Sequence, residues 1–171
     1  TVGKSGNILT SSDGTTWTSR TSGTNVGLNG VTYGNGLFVT VGWGTILTSS
    51  DGTSWDNRTS GTSEYLLEVT YGNGLFVTVG WGTILTSSDG TTWTERTSGT
   101  SEYLLEVTYG NGLFVTVGWG TILTSPDGNS WTKRTSGTYN NFYGVTYGNG
   151  LFVMVGDSGT ILTSTDGTTW T

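Results

Sequence analysis

The stretch "LLEVTYGNGLFVTVGWGTILTSSDGTTWT", residues 66–94, decides the fold. Three runs rich in β-branched and aromatic residues stand out in it: Val69–Tyr71, Leu75–Val79 and Thr83–Ser87. A fourth begins at Thr92 and continues to Thr97. Such runs, bounded by Gly, Asn and Asp, read as strands. Each junction carries its own turn chemistry. Asn73-Gly74 suits a two-residue hairpin whose two central residues both need positive φ. Gly80-Trp81-Gly82 makes a second tight turn. In Ser87-Ser88-Asp89-Gly90 a short polar side chain can hold the backbone while Gly takes the left-handed position.

The same words return along the chain. "ILTS" starts at Ile8, Ile46, Ile84, Ile122 and Ile161, spacings of 38, 38, 38 and 39, and the extra residue falls in "GDSGT", Gly156–Thr160. Asn-Gly recurs at Asn35, Asn73, Asn111 and Asn149. A four-stranded antiparallel meander at a fixed period of this length describes a blade, so the fold class is all-β, a β-propeller with about five blade positions. A β-solenoid is the runner-up; its rungs are shorter and poorer in hairpins. The reading is one domain, 1–171, with a half blade at 1–20 and blades at 21–59, 60–97, 98–135 and 136–171. Five hairpins join third to fourth strands but only four join first to second. The chain therefore belongs to a longer propeller, or closes a four-bladed ring with residues 3–20 in place of 161–171, or shares blades between chains as a homo-oligomer through unpaired edges. Five positions with missing or swapped strands are expected.

Composition narrows function. Among 171 residues there are 30 Gly, 8 Trp and 8 Tyr, but no Ala, Gln, His or Cys, which disfavours helices and excludes disulfides and thiolate metal sites. A net charge of −6 with only six basic residues speaks against nucleic acid as a partner. No apolar run approaches the ~20 residues that span a bilayer. Opening on Thr1 rather than Met, the chain reads as a mature or excised segment. Asn57-Arg58-Thr59 is a weak acceptor pattern for N-glycosylation.

The turn between third and fourth strands carries a resemblance. Ser11/Asp13/Gly14/Trp17 resembles the Asp-box, or BNR repeat, and recurs as Ser49/Asp51/Gly52/Trp55, Ser87/Asp89/Gly90/Trp93, Ser125/Asp127/Gly128/Trp131 and Ser164/Asp166/Gly167/Trp170. It is a shortened form, with one residue fewer between Asp and Trp than the usual box. The resemblance implies blades of the kind found in sialidases, sortilin-type receptors and photosystem assembly factors. It also implies that these residues are structural, the Asp tying its turn and the Trp plugging between strands. One carboxylate per blade does not converge as calcium requires; neither metal nor cofactor is expected.

Catalysis is not expected either. Sialidases need an arginine triad, but Arg20, Arg58, Arg96 and Arg134 share one repeat position on the fourth strand, which places them at the outer rim, paired to carboxylates or carbonyls. Lys4 and Lys133 are the only lysines. Glu64/Glu68 and Glu102/Glu106 are duplicated copies, unlike a catalytic pair.

Variation between copies marks a binding face. Turns between second and third strands should emerge with the blade-to-blade loops on one side of the molecule. That side gathers Trp43, Trp81 and Trp119 at turn tips with Tyr65, Tyr103, Tyr139, Glu64 and Glu102 in the loops. Exposed rings beside carboxylates suit glycans or proteins; the structural alternative is that the Trp rings stack on Tyr across loops or cap the core. Leu66–Leu67 and Leu104–Leu105 should enter blade interfaces. The expectation is a non-enzymatic Asp-box propeller, secreted or at the cell surface, that binds or scaffolds. A multivalent carbohydrate-binding lectin is the first alternative, an engineered or recently amplified repeat without natural ligand the second, and a sialidase-like hydrolase the most distant.

Overall fold

The structure is a computed structural model that describes residues 1–171. Seventeen strands form five antiparallel meanders. The N-terminal sheet holds only β1 (Ile8–Thr10) and β2 (Thr18–Arg20). Three complete blades follow. The first is β3 (Leu28–Gly34), β4 (Leu37–Gly42), β5 (Thr45–Ser49) and β6 (Asp56–Thr59). The second is β7 (Leu66–Gly72), β8 (Leu75–Gly80), β9 (Ile84–Ser87) and β10 (Thr94–Arg96). The third is β11 (Leu104–Gly110), β12 (Leu113–Gly118), β13 (Thr121–Ser125) and β14 (Thr132–Arg134). The last sheet is β15 (Phe142–Gly148), β16 (Leu151–Gly156) and β17 (Ile161–Ser164), and Thr171 pairs with Thr163 at its outer edge. No helix is long and apolar enough to cross a membrane.

Local chemistry sets the turns. Asn73 and Gly74 sit at φ 50° and 75°, and the three equivalent Asn-Gly pairs match them, as a type I′ hairpin demands. First strands are longer than their Val-Thr-Tyr centres suggested. Leu66-Leu67-Glu68 joins the strand through a bulge, where the register against β8 shifts between Leu66 and Glu68. Fourth strands are shorter than read, because the box turn takes up Thr92 and Trp93.

The core lies between blades. Leu66 and Leu104 are fully buried, each in a cluster that joins two consecutive sheets: Val39, Val41 and Ile46 of one blade pack with Leu66, Val69, Phe76 and Leu85 of the next. Sheets that are apolar on both faces follow from this arrangement. Fully burying a ring such as Phe76 contributes about 1.5–3 kcal/mol.

First strands β3, β7, β11 and β15 are neighbours in series. No comparable contact joins the last sheet to the first, so the blades form an arc. Its two ends expose residues that are covered elsewhere: Tyr33 and Trp17 at one end, Val155 and Ile161 at the other. Trp17, expected to plug its blade as the other box tryptophans do, is 49% exposed, because its sheet lacks the inner hairpin that would cover it.

Candidate functional site: an aromatic ridge on the loop face

The two faces of the arc differ in chemistry. On one, the five box turns are tied by their own side chains. Asp89 Oδ1 accepts the Thr91 and Thr92 amides, both at 2.8 Å, while Ser87 Oγ donates to Asp89 and accepts the Gly90 amide. These bonds hold the box carboxyls below the usual range. The largest cause is a backbone amide at Asp13 (Thr16), Asp89 (Thr92), Asp127 (Asn129) and Asp166 (Thr169), and the Thr53 side chain at Asp51. The indoles of Trp55, Trp93 and Trp131 lie half-buried and donate to the carbonyls of Gly52, Gly90 and Gly128. Asp and Trp of each complete blade are thereby occupied in one turn.

The opposite face carries the second-to-third turns and the blade-to-blade loops, and they interlock. The Gly44 amide donates to the Glu64 carbonyl and the Gly82 amide to that of Glu102. Trp43 stacks on Tyr65 of the following blade at 5.2 Å and 6°, and Trp81 on Tyr103 at 5.3 Å and 6°. The Trp43 indole N–H donates to the Ser63 carbonyl at 2.8 Å. Tyr103 meets Trp119 at 4.6 Å, tilted by 44°. Trp81 and Trp119 also donate backbone amides to the carbonyls of Tyr65 and Tyr103. The stacking that competes with ligand binding is thus present, yet it covers one side only. Trp43, Trp81 and Trp119 remain 56%, 47% and 45% exposed, and Tyr139 is wholly exposed. Tyr65 is exposed, Glu64 is half-buried and Glu102 exposed. The structure therefore brings Trp43, Tyr65, Trp81, Tyr103 and Trp119 into one ridge across three blades, while Tyr139 stands in the loop that leads to the last one.

One polar cluster on this face was missed. Asp157 accepts from the Tyr143 hydroxyl at 2.7 Å and from the Asn141 side chain at 3.0 Å, and Asn140 donates to Thr160 Oγ1 at 2.6 Å. The Tyr143 bond draws the Asp157 carboxyl down and lifts the Tyr143 phenol. The signal was the odd period: the inserted residue lies in "GDSGT", where other blades carry the Trp turn.

The arginines lie on outer strands, but their partners differ from expectation. The guanidinium Nε of Arg20, Arg58, Arg96 and Arg134 donates at 2.8 Å to the hydroxyl of Thr10, Thr48, Thr86 and Thr124 on the adjacent strand. Only Arg58 has a carboxylate, that of Asp56 at 3.0 Å. A threonine faces each arginine because third and fourth strands pair in one register throughout. The acidic residues that meet are Glu68 and Glu106, on neighbouring first strands, rather than either loop pair. Burial, then the charge of Glu68, pushes the Glu106 carboxyl up to about 7; burial also raises Glu68.

No protein-family profile and no curated protein matches the sequence. Solved structures do match. YCF48 bound to a D1 peptide superposes with a TM-score of 0.75 at 19% identity, over 99% of this chain and 61% of that one. YCF48 from Cyanidioschyzon merolae gives 0.69 at 15%, over 95% and 64%. The computationally designed protein Ika4 gives 0.66 at 14%, over 80% and 89%. The chain spans less than two thirds of the length of either YCF48 structure. With four-stranded antiparallel blades set side by side, the fold is a β-propeller.

Proposed function

We propose that this chain is a non-enzymatic binding module, and that the ridge Trp43–Tyr65–Trp81–Tyr103–Trp119, with Tyr139, receives an extended segment of a partner protein. The observation that carries the reading is the half-open state of three indoles on one face. Each is fixed from behind by Tyr or by a backbone bond, and each offers its other side to solvent. Rigid aromatic area of this kind is the usual anchor of a protein interface. Glu64 and Glu102 beside the rings, on a chain of net charge −6, favour a segment bearing Lys or Arg, which ring faces and carboxylates attract together. A propeller of similar fold that binds a peptide supports the same reading. The box turns support kinship with Asp-box propellers, whose boxes are structural. Against catalysis stands the fixing of all four arginines to threonines. An array of overlapping 15-residue peptides, probed with the labelled chain and with the triple variant W43A/W81A/W119A, tests the proposal. Binding enriched in basic peptides and lost in the variant is expected; equal binding by both chains overturns it.

A lectin is the second reading, favoured by the flat outer faces of Trp43 and Trp81, each backed at 6° by a tyrosine. A glycan array separates the two.

A further inference from the structure

Between complete blades the contact follows one recipe. Tyr71 lies over Gly34 of the preceding blade, Tyr109 over Gly72 and Tyr147 over Gly110; a β-carbon on any of these glycines would overlap the tyrosine. Leu37 reaches across to the box glycine Gly90, Leu75 to Gly128 and Leu113 to Gly167. Within each blade the box tryptophan packs on the second-strand phenylalanine: Trp55 on Phe38, Trp93 on Phe76, Trp131 on Phe114, Trp170 on Phe152, all at 6.3–6.5 Å.

Both ends of the arc break this recipe, and in complementary ways. At the N-terminal end Tyr33 is 58% exposed and has no glycine to cover. Gly52 has no leucine against it, only Phe38 and Thr10 at 3.7 Å. Trp17 has no phenylalanine, and the inter-blade cluster shrinks to Ile8, Leu28 and Leu47, against seven or eight residues elsewhere. The result is an apolar cleft of about 370 Å³ lined by Val2, Ile8, Trp17, Tyr33, Phe38 and Trp55 among others. At the C-terminal end the β15–β16 hairpin holds the missing counterparts. Gly148 has open space where its equivalents carry a tyrosine, and Leu151 has no box glycine to reach. Val155 is 45% exposed although its equivalents Val41, Val79 and Val117 are fully buried.

We infer that the cleft is the docking site for the β15–β16 hairpin of a second copy of this chain. Set in the repeat's own register, that hairpin brings Gly148 under Tyr33, Leu151 against Gly52 and Phe152 against Trp17, with β16 along β1. Two weakly held segments give way. Thr1–Val2 is attached through the Leu9 backbone alone at its outer end. On the donor, β17 leaves β16; it is followed by a single residue pair in place of a fourth strand, Ile161 is 64% exposed, and the indole N–H of Trp170 is buried without a partner. β1–β2 offers β16 the same "ILTS" strand together with its fourth strand. Two copies exchanging hairpins reciprocally use both ends of both arcs, so the assembly closes at two chains. A second copy is favoured over the chain's own tail because the arc keeps its ends apart. It superposes along 99% of its length on a propeller of which it covers only 61%.

Sedimentation equilibrium of the 171-residue chain tests this, with two variants whose sites are open in the single chain and so leave it able to fold. Gly148→Val fills the socket, where nothing lies within 4 Å and φ is not left-handed. Tyr33→Ser removes the exposed ring. The parent is expected at twice 18.0 kDa and both variants at 18.0 kDa, each with its circular dichroism unchanged. Mixing Tyr33→Cys chains with Gly148→Cys chains in a protein otherwise without cysteine should give a disulfide-linked dimer that neither gives alone. A parent at 18.0 kDa up to ~100 µM, far above working affinities near ~1 µM, overturns the inference. So does a dimer that persists in either variant. A monomer whose melting temperature falls with Gly148→Val indicates closure on its own tail, which also overturns it.

Discussion

Tyr71 sits in the space that a side chain on Gly34 would occupy: a β-carbon there would lie 2.6 Å from Tyr71 Cβ. Every complete blade boundary repeats this fit, so the glycine is required by its neighbour rather than by a turn. Replacing Gly110, whose tyrosine is Tyr147, by Ala should cost about 1–3 kcal/mol through overpacking. Urea unfolding checks it, with Gly23→Ala excluded as a control because Gly23 lies at φ 75°; Thr132→Ser on an exposed strand serves instead.

Acid should destabilise the chain through the box turns. Asp13, Asp51, Asp89, Asp127 and Asp166 are held below their ordinary value of 3.8 by bonds that only the charged form accepts fully. A depressed carboxyl contributes stability above its unfolded pKa, and that contribution is lost as pH falls below it. Melting temperature should therefore drop below about pH 4, and Asp89→Asn should flatten the drop.

Glu106 acts with the opposite sign. Its folded pKa, about 7, lies above the ordinary 4.5, so the folded chain keeps a proton that the unfolded chain releases. Stability is full below pH 4.5 and declines as pH rises to about 7. Glu106→Gln should raise the melting temperature at pH 8 and leave it unchanged at pH 4. An equal shift at both values would contradict the assignment.

The arginine–threonine bond makes a modest contribution. Arg96→Ala removes one side-chain hydrogen bond at 2.8 Å and should cost about 0.5–1.5 kcal/mol, as should Arg134→Ala. Arg96→Lys should recover little, since an ammonium does not reproduce the Nε geometry. Denaturant midpoints decide.

The repeat made the blades legible. Asn-Gly and Asp-Gly pairs fix turns by backbone conformation, a local property, and four β-rich runs between them leave little freedom. What resisted reading depends on the neighbouring blade. That Tyr71 needs Gly34, or that Glu106 meets Glu68, follows from how first strands align side by side, which no single unit contains. The arginine partners were misread for a related reason: strand register, not charge, places Thr86 beside Arg96. On the ridge, the residues were found from sequence because Trp between two glycines differs from its surroundings. Their stacking on Tyr65 and Tyr103 required the loops to cross to the next blade. The Asp157 cluster went unnoticed because its signal was one inserted residue.

The ridge itself is tested most directly by measuring affinity for the strongest peptide from the array, by calorimetry, in the parent, in Trp81→Ala and in Thr91→Lys on the opposite face. The account predicts at least tenfold weaker binding for Trp81→Ala, about 1.4 kcal/mol or more, with its melting temperature within a few degrees of the parent and Thr91→Lys unaffected. Undiminished binding by Trp81→Ala, or equal loss in Thr91→Lys, would contradict it.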